Sequence, residues 1–431
     1  MRSNEKTILP VGVKKAVSKE VFIFLALFLG FFVALCMEMG TVNMFNTMMN
    51  TAFDLLLNTV FYIMAIAVLA GAISALFSEF GVISLLNKLL SPVIKVVYGL
   101  PGASAVGVFT TYLSDNPAIL TLANDNNFRR YFKKYQLPAL TNIGTAFGMG
   151  LIITTFMAGL HSPTGESFGL AVLVGNIGAI VGSIVSTRLM LWRTAKIYGK
   201  EEMCDIENDG EEMDVNKYRK VREGSVGGRF LDALLEGGKS GVDMGMAVIP
   251  GVLIICTIIM MLTNGPSDVV YTVIDSGDNC CILSNGTELI TVTPEVAQEL
   301  LAVRPGYTGA AYEGVAILPW IGEKLSFILQ PLFGFQSSEA IAVPITALGA
   351  AGAAIGIVKE LVLDGLANAH DIAVFTAMCM CWSGYLSTHV AMMDSLKCSK
   401  LTGTAIICHT IGGLVAGVFA NWFYQLLMLI L

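Results

Sequence analysis

The chain of 431 residues is 55% hydrophobic and only 14% charged, with a mean hydropathy of +0.70. Soluble domains carry about a quarter charged residues, so this composition excludes an ordinary soluble protein and points to a polytopic membrane protein. The net charge of -7 decides little, because in a membrane protein the placement of Lys and Arg carries the information.

Taken in chain order, Arg2, Lys6, Lys14, Lys15 and Lys19 precede a first apolar run at 20–37. No small-x-small cleavage site follows, and in Val33-Ala34-Leu35-Cys36 the leucine is too large for a lipoprotein box, so a retained first span is expected. Further spans are expected at 55–77, 138–160, 168–193, 241–262, 371–395 and 402–430, each long enough for about 30 Å of hydrocarbon at about 1.5 Å per residue. Two other apolar segments, 101–127 and 338–366, are interrupted at their centres. The first carries Ser114-Asp115-Asn116-Pro117; the second carries Gly349, Gly352 and Gly356, followed by Lys359, Glu360 and Asp364. A charge in a membrane interior costs at least about 2.5 kcal/mol on insertion scales. Two short apolar arms around such a centre are the pattern of a re-entrant helical hairpin lining a cavity.

Lys and Arg cluster at the start of the chain, at 129–134, 188–200, 217–229 and 397–400, which assigns these regions to the cytoplasm. The stretch from 264 to 312 holds only Arg304 against six acidic residues and is external, as is the link 161–166, which lacks Lys and Arg. The same order of span, hairpin and two spans then occurs twice with opposite orientation. The expected organisation is a cytoplasmic segment 1–19, a first span with its external connection 20–54, repeat 1 over 55–193, a cytoplasmic loop 194–228 and repeat 2 over 229–431. The last contains the external insertion 264–312, whose turn chemistry and β-branched runs suggest a small lid or hairpin. Leu90-Ser91-Pro92 with Tyr98-Gly99 echoes Leu329-Gln330-Pro331 with Phe333-Gly334. The fold class is all-α, with about seven spans and two re-entrant hairpins in an inverted repeat. The N-terminus is expected in the cytoplasm and the C-terminus outside, in a bacterial inner membrane.

Each interruption carries groups suited to a solute. Asn116 is a good N-cap and Pro117 a natural first helical residue, so a half-helix N-terminus faces the cavity with Ser114 and Asp115 beside it. Such an end attracts an anionic or polar group, while Asp115 is the candidate ligand of a coupling cation; plain helix capping is the alternative. Lys359 and Glu360 are adjacent on a helix, so one is expected to face the cavity and the other a neighbour. One span carries Thr141, Asn142 and Thr145 and another Ser383, Ser387, Thr388 and His389; the i,i+4 pairs Thr141/Thr145 and Ser383/Ser387 each form a polar stripe on one face. Such stripes serve either solute contact or helix–helix packing. His389 is read as a proton-coupled switch or a packing histidine, and His409 and Asp394 are given less weight. Nine cysteines form no metal-ligand spacing, and neither a nucleotide-binding loop nor a catalytic motif is present, so no enzyme is expected. No cofactor is expected apart from Na⁺ or H⁺ as coupling ion.

Gly99-Leu100-Pro101-Gly102 followed by Ser114-Asp115-Asn116-Pro117-Ala118-Ile119 resembles the first segment of the Gate, or nucleoside-recognition, membrane family. That family includes ferrous-iron transporter B-type proteins, spore maturation proteins and, more distantly, concentrative nucleoside transporters. Val358-Lys359-Glu360-Leu361-Val362 resembles the Ala-Lys-Glu-Ile-Val of its second segment, and the likeness covers about 45–431 with two copies in one chain. The iron transporters read Cys-Asn-x-Pro-Ala where this chain has Ser114-Asp115-Asn116-Pro117-Ala118, which argues against iron as cargo. The resemblance implies a cation-coupled, alternating-access carrier of a small polar, nucleoside-like solute. A non-transporting membrane scaffold or signalling protein, and a channel, remain the alternatives. Lipid and solute are the expected partners, a homodimer fits such a scaffold, and nucleic acid is not expected.

Overall fold

The computed structural model describes residues 16–114, 131–204, 221–269 and 304–430, and within 270–303 residues 271–276, 280–284, 289–294, 296, 297 and 301. Asp115, Asn116 and Pro117 lie outside the described residues, as does the side chain of Ser387. Six helices among the described residues are long and apolar enough to cross a membrane: Lys19–Met39, Thr41–Glu79, Ala139–Gly159, Gly169–Tyr198, Val226–Thr263 and Ser399–Ile430. They match six of the seven expected spans. The seventh, 371–395, is two helices, because the chain breaks at Ser383 and Gly384.

Two compact units are formed, Met1–Asn50 with Gly265–Val315, and Thr51–Asn264 with Ala316–Leu431. In the first, α1 (Lys19–Met39) ends at Gly40, whose φ of 79° turns the chain straight into α2 (Thr41–Asp54). The insertion pairs β1 (Ser267–Val269) with the final strand, β5 (Arg304–Gly306). Between them β2 (Thr272–Ser276), β3 (Cys281–Ser284) and β4 (Leu289–Val292) form an antiparallel meander. Tyr271, Leu283 and Ala297 make its small core. Asn43, Thr47 and Asn50 lie on one face of α2 by their helical spacing. Asn43 and Asn50 donate to the carbonyls of Tyr307 and Gly309, at 2.9 and 2.8 Å, and Thr47 donates to the buried carboxylate of Glu313. That carboxylate also accepts the backbone N–H groups of Thr308 and Gly309, so it is satisfied from several sides.

The second unit repeats one order of elements. In the first half, α2 passes through a π-helical turn, Leu55–Val60, into α3 (Phe61–Glu79). There follow α4 (Val82–Val97), the short α5 (Ser104–Leu113), the broken pair α6 (Ala139–Thr145) and α7 (Gly150–Gly159), and the long α8 (Gly169–Tyr198). In the second half, α9 (Val226–Pro250) passes through a π-helical turn, Gly251–Cys256, into α10 (Thr257–Thr263). Then come α11 (Ile317–Lys324), α12 (Ser326–Phe333), the hairpin α13 (Ala342–Gly349) and α14 (Ala351–Leu363), the broken pair α15 (Ala369–Trp382) and α16 (Tyr385–Ser395), and the long α17 (Thr402–Ile430). The sequence echo has a structural counterpart. Pro92 lies within α4 before Gly99 at φ 75°, and Pro331 lies within α12 before Gly334 at φ 66°.

Small residues set the packing, because lipid gives apolar helices little reason to associate and close backbone contact must supply it. Gly237, Gly241 and Gly245 recur every fourth residue on α9 and face Gly71, Ala67 and Met64 of α3, so a Cβ at Gly71, Gly237 or Gly241 would collide with the opposite backbone. Gly175, Gly178 and Gly182 of α8 play the same part against Thr376 and Ala377 of α15 and Gly412 and Ala416 of α17.

Candidate functional site

Three interruptions of regular helix meet. Between α6 and α7 the chain turns at 146–149, with Met149 in the left-handed region at φ 55°. Between α15 and α16 it turns at Ser383 (φ 42°) and Gly384 (φ 67°). In the hairpin it turns at Ala350, whose extended backbone (φ -156°, ψ 111°) separates α13 from α14. The Ser383 hydroxyl donates to the carbonyl of Gly148 at 3.0 Å, and the Gly384 N–H donates to the carbonyl of Ala347 at 2.9 Å. One break is thus bonded to the other and to the hairpin turn. A non-glycine residue at positive φ costs about 1–3 kcal/mol, and Met149 and Ser383 both hold it here. Tyr112 brings α5 to the same place: its ring covers Gly150 and its hydroxyl lies 3.0 Å from Thr154 Oγ1 and from the Asn176 side-chain oxygen.

Beside the breaks lies a buried polar hub. Asn142 donates to Ser186 Oγ at 2.9 Å and to the Ala405 carbonyl at 3.0 Å. Ser186 is 2.9 Å from Nδ1 of His409, whose Nε2 is 2.7 Å from the Cys381 carbonyl. A carbonyl only accepts, so Nε2 carries the proton, Nδ1 accepts from the Ser186 hydroxyl, and the Ser186 oxygen accepts from Asn142. The direction of every bond is fixed, and His409 is the centre of the hub. Sequence reasoning gives this residue little weight, since a lone histidine near the start of an apolar helix carries no local signal. His389 stacks 4.6 Å from His409, with Nδ1 3.5 Å from Thr145 Oγ1 and no hydrogen-bond partner at Nε2. Thr141 faces the sulfur of Met393. Thr141, Asn142, Thr145 and His389 are completely buried and Ser383 nearly so, so these side chains are turned toward one another and the surrounding helices.

Lys359 and Glu360 are placed elsewhere. They sit nine and ten residues beyond Ala350, about 14 Å along α14. The expectation that one of them turns to a neighbour is corrected: both line one cavity of about 430 Å³, together with Asp54, Asn58, Tyr62 and His161. The Lys359 stem is long enough to fold back, leaving Nζ 3.8 Å from Glu360 Oε1 and 3.1 Å from the Asn58 carbonyl, which belongs to the π-helical turn Leu55–Val60. The other π-helical turn holds the same hairpin, through Cys256 Sγ on the Ala353 carbonyl at 3.0 Å. A π-helical turn widens the helix and displaces its carbonyls, which frees them for such contacts. No periodicity in the sequence announces either turn.

A second cavity, of about 270 Å³, is lined by Ser74, Ser78, Thr110, Ser114, Arg222 and Ser240. Arg222 bridges Glu79 at 2.9 Å and Glu236 at 2.6 Å, and Arg229 reaches Glu79 at 2.6 Å, so the ends of α3 and α9 are tied by a four-charge network. Asn58, in the π-helical turn before α3, lines the first of these cavities, and Ser74, on α3, lines the second, sixteen residues further along the chain. Ser114 lines the cavity at Ser74 and Ser78; Lys359 and Glu360 line the one at Asp54 and Asn58.

No known family model matches the chain, and no curated protein matches it in sequence. Among solved structures it is similar to CNTnw, a concentrative nucleoside transporter. A doubly substituted form in an outward-facing state matches over 95% of this chain and 86% of that chain, with 13% identity and a TM-score of 0.50. An inward-facing, substrate-bound state matches over 85% of this chain and 75% of that chain, with 13% identity and a TM-score of 0.47. At this identity the likeness speaks for the fold: an all-helical membrane protein.

Proposed function

We propose that the protein is a secondary-active carrier of a small polar solute, working by alternating access and driven by a cation gradient. The observation that carries this reading is the meeting of two broken spans and a hairpin turn in a molecule that also has one cavity at Lys359 and Glu360 and another at Ser114. Irregular backbone at membrane depth is tolerated where it lines a cavity or is buried in protein, and solute and ion sites in carriers are built from such discontinuous helices. In this reading Lys359 and Glu360 receive the solute from outside, and Ser114, Asp115 and Asn116 line its path on the inner side. Ser383 and Ser387 stand at the second break. Thr141, Asn142, Thr145 and His389, with His409, hold the broken spans in place. A nucleoside-like cargo follows from the resemblance of the two Gate-like segments and from the similarity in fold to CNTnw, and Asp115 is the candidate ligand for the coupling cation.

The test is uptake into proteoliposomes under an inward Na⁺ or H⁺ gradient, with nucleosides as the first cargo series. Saturable accumulation that collapses with the gradient and is abolished by Asp115→Asn is expected. Folded protein that moves no solute under either gradient overturns the reading in favour of a scaffold. Flux that never saturates overturns it in favour of a channel.

A further inference from the structure

We infer that the seam between α4 and α8 is a binding site for an anionic phospholipid of the cytoplasmic leaflet. This inference stands apart from the carrier reading and needs only the membrane orientation given by the Lys and Arg pattern.

The seam carries two openings in sequence. Toward the end of α8 lies a cavity of about 540 Å³ lined by Tyr135, Arg188, Trp192, Lys196 and Lys200, with no carboxylate on its lining. Arg188 lies against Gly99, which has no side chain to push it away, and donates to the last carbonyls of α4, to Val97 at 2.8 Å and also to Val96. Lys196 Nζ sits 3.7 Å over the ring of Trp192, whose indole is 53% exposed. An exposed Trp with cations around it is the arrangement that settles at a membrane–water interface. Deeper along the same two helices is an apolar slot of about 390 Å³, lined by Leu90, Val93, Ile94, Phe109, Phe147 and Ile180. From Ile180 to Arg188 is eight residues, about 12 Å. One leaflet of hydrocarbon is about 15 Å deep, so an acyl chain reaches the slot when its phosphate lies in the basic mouth. The Tyr98 hydroxyl, 2.7 Å from Ser183 Oγ, pins α4 to α8 between the two openings. A soluble anion would use only the mouth; the slot beneath it selects a ligand with a chain.

The experiment is lipid retention by the purified full chain after exchange in mixed vesicles of equal phosphatidylglycerol and phosphatidylcholine. Wild-type protein should keep phosphatidylglycerol in clear excess. A Lys or Arg near an anionic surface is worth about fivefold in binding, so Lys196→Gln with Lys200→Gln should lower that excess at least about tenfold with an unchanged unfolding midpoint. Ile180→Trp should fill the slot and lower retention of the diacyl lipid while leaving the mouth intact. In wild-type protein alone, raising NaCl from about 0.05 to 0.5 M should erase the excess, because the exposed charges become screened. Inorganic phosphate at millimolar concentration should not displace the lipid. Equal selectivity in the doubly substituted protein, no salt effect, or full displacement by inorganic phosphate would each overturn the inference.

Discussion

The hub around His409 and the cavity around Lys359 both hold polar side chains among apolar helices, but treat them in opposite ways. At the hub the bonds from the Asn142 amide N–H groups through Ser186 and His409 to the Cys381 carbonyl form one chain in which each proton has a defined direction. At the cavity, Asp54, Asn58, Lys359 and Glu360 are only partly enclosed and border open space. Saturated hydrogen bonding gives rigidity, whereas charges bordering a cavity can exchange partners with an incoming solute. The contrast separates a bonded packing region from a cavity whose polar groups border open space, although Asn142 and Lys359 were both binding candidates in the sequence.

The largest effect that would break this contrast lies in the hub. His409→Ala removes a ring, a donor to Cys381 and an acceptor for Ser186, and should cost about 3–5 kcal/mol in denaturant unfolding in detergent. A loss below 1 kcal/mol would deny the hub its structural role. Asn142→Ala leaves Ser186 and the Ala405 carbonyl without their donor and should cost about 2–3 kcal/mol by the same measurement. In the cavity the balance reverses. Lys359→Met should change stability by less than about 1 kcal/mol, as for half-solvated ion pairs, while lowering solute uptake at least tenfold, about 1.4 kcal/mol in barrier. Stability lost with uptake kept would exchange the two roles. The smallest change is expected at His389, whose Nε2 has no partner to lose: His389→Phe should shift stability by less than about 1.5 kcal/mol. If that variant also flattens the pH profile of uptake, His389 is a proton-coupling group and not a packing one.

Long apolar runs made six spans legible, and the glycines at 349 and 352 marked the turn of the second hairpin. The break at Ser383-Gly384 was not read, although a Ser-Gly pair inside an apolar run is a turn signal; the run's length masked it. The break at 146–149 was masked in the same way inside 138–160. Helix α4 and helices α11 and α12 are too short or too amphipathic to register as spans. At the site, polar stripes marked Asn142 and Thr145, but periodicity reports which face a residue occupies and not whether a partner awaits it. The partners of Asn142 come from α8 and α17, some 44 and 263 residues away in the chain. The grip of Asn58 on Lys359 depends on a π-helical turn, which side-chain patterning does not encode.

The glycine seam between α3 and α9 has a mechanical consequence. Backbone rests on backbone at Gly71, Gly237 and Gly241, with no flexible side chain between them to absorb a displacement. Rotating either helix by one residue would drive a neighbour such as Val68 or Met244 into the opposing chain, and the packed interface leaves no room for it. The pair is one girder. The hairpin of α13 and α14 meets the π-helical turns that adjoin this girder through the Lys359 ammonium and the Cys256 thiol, side-chain bonds that can be released without moving backbone against backbone.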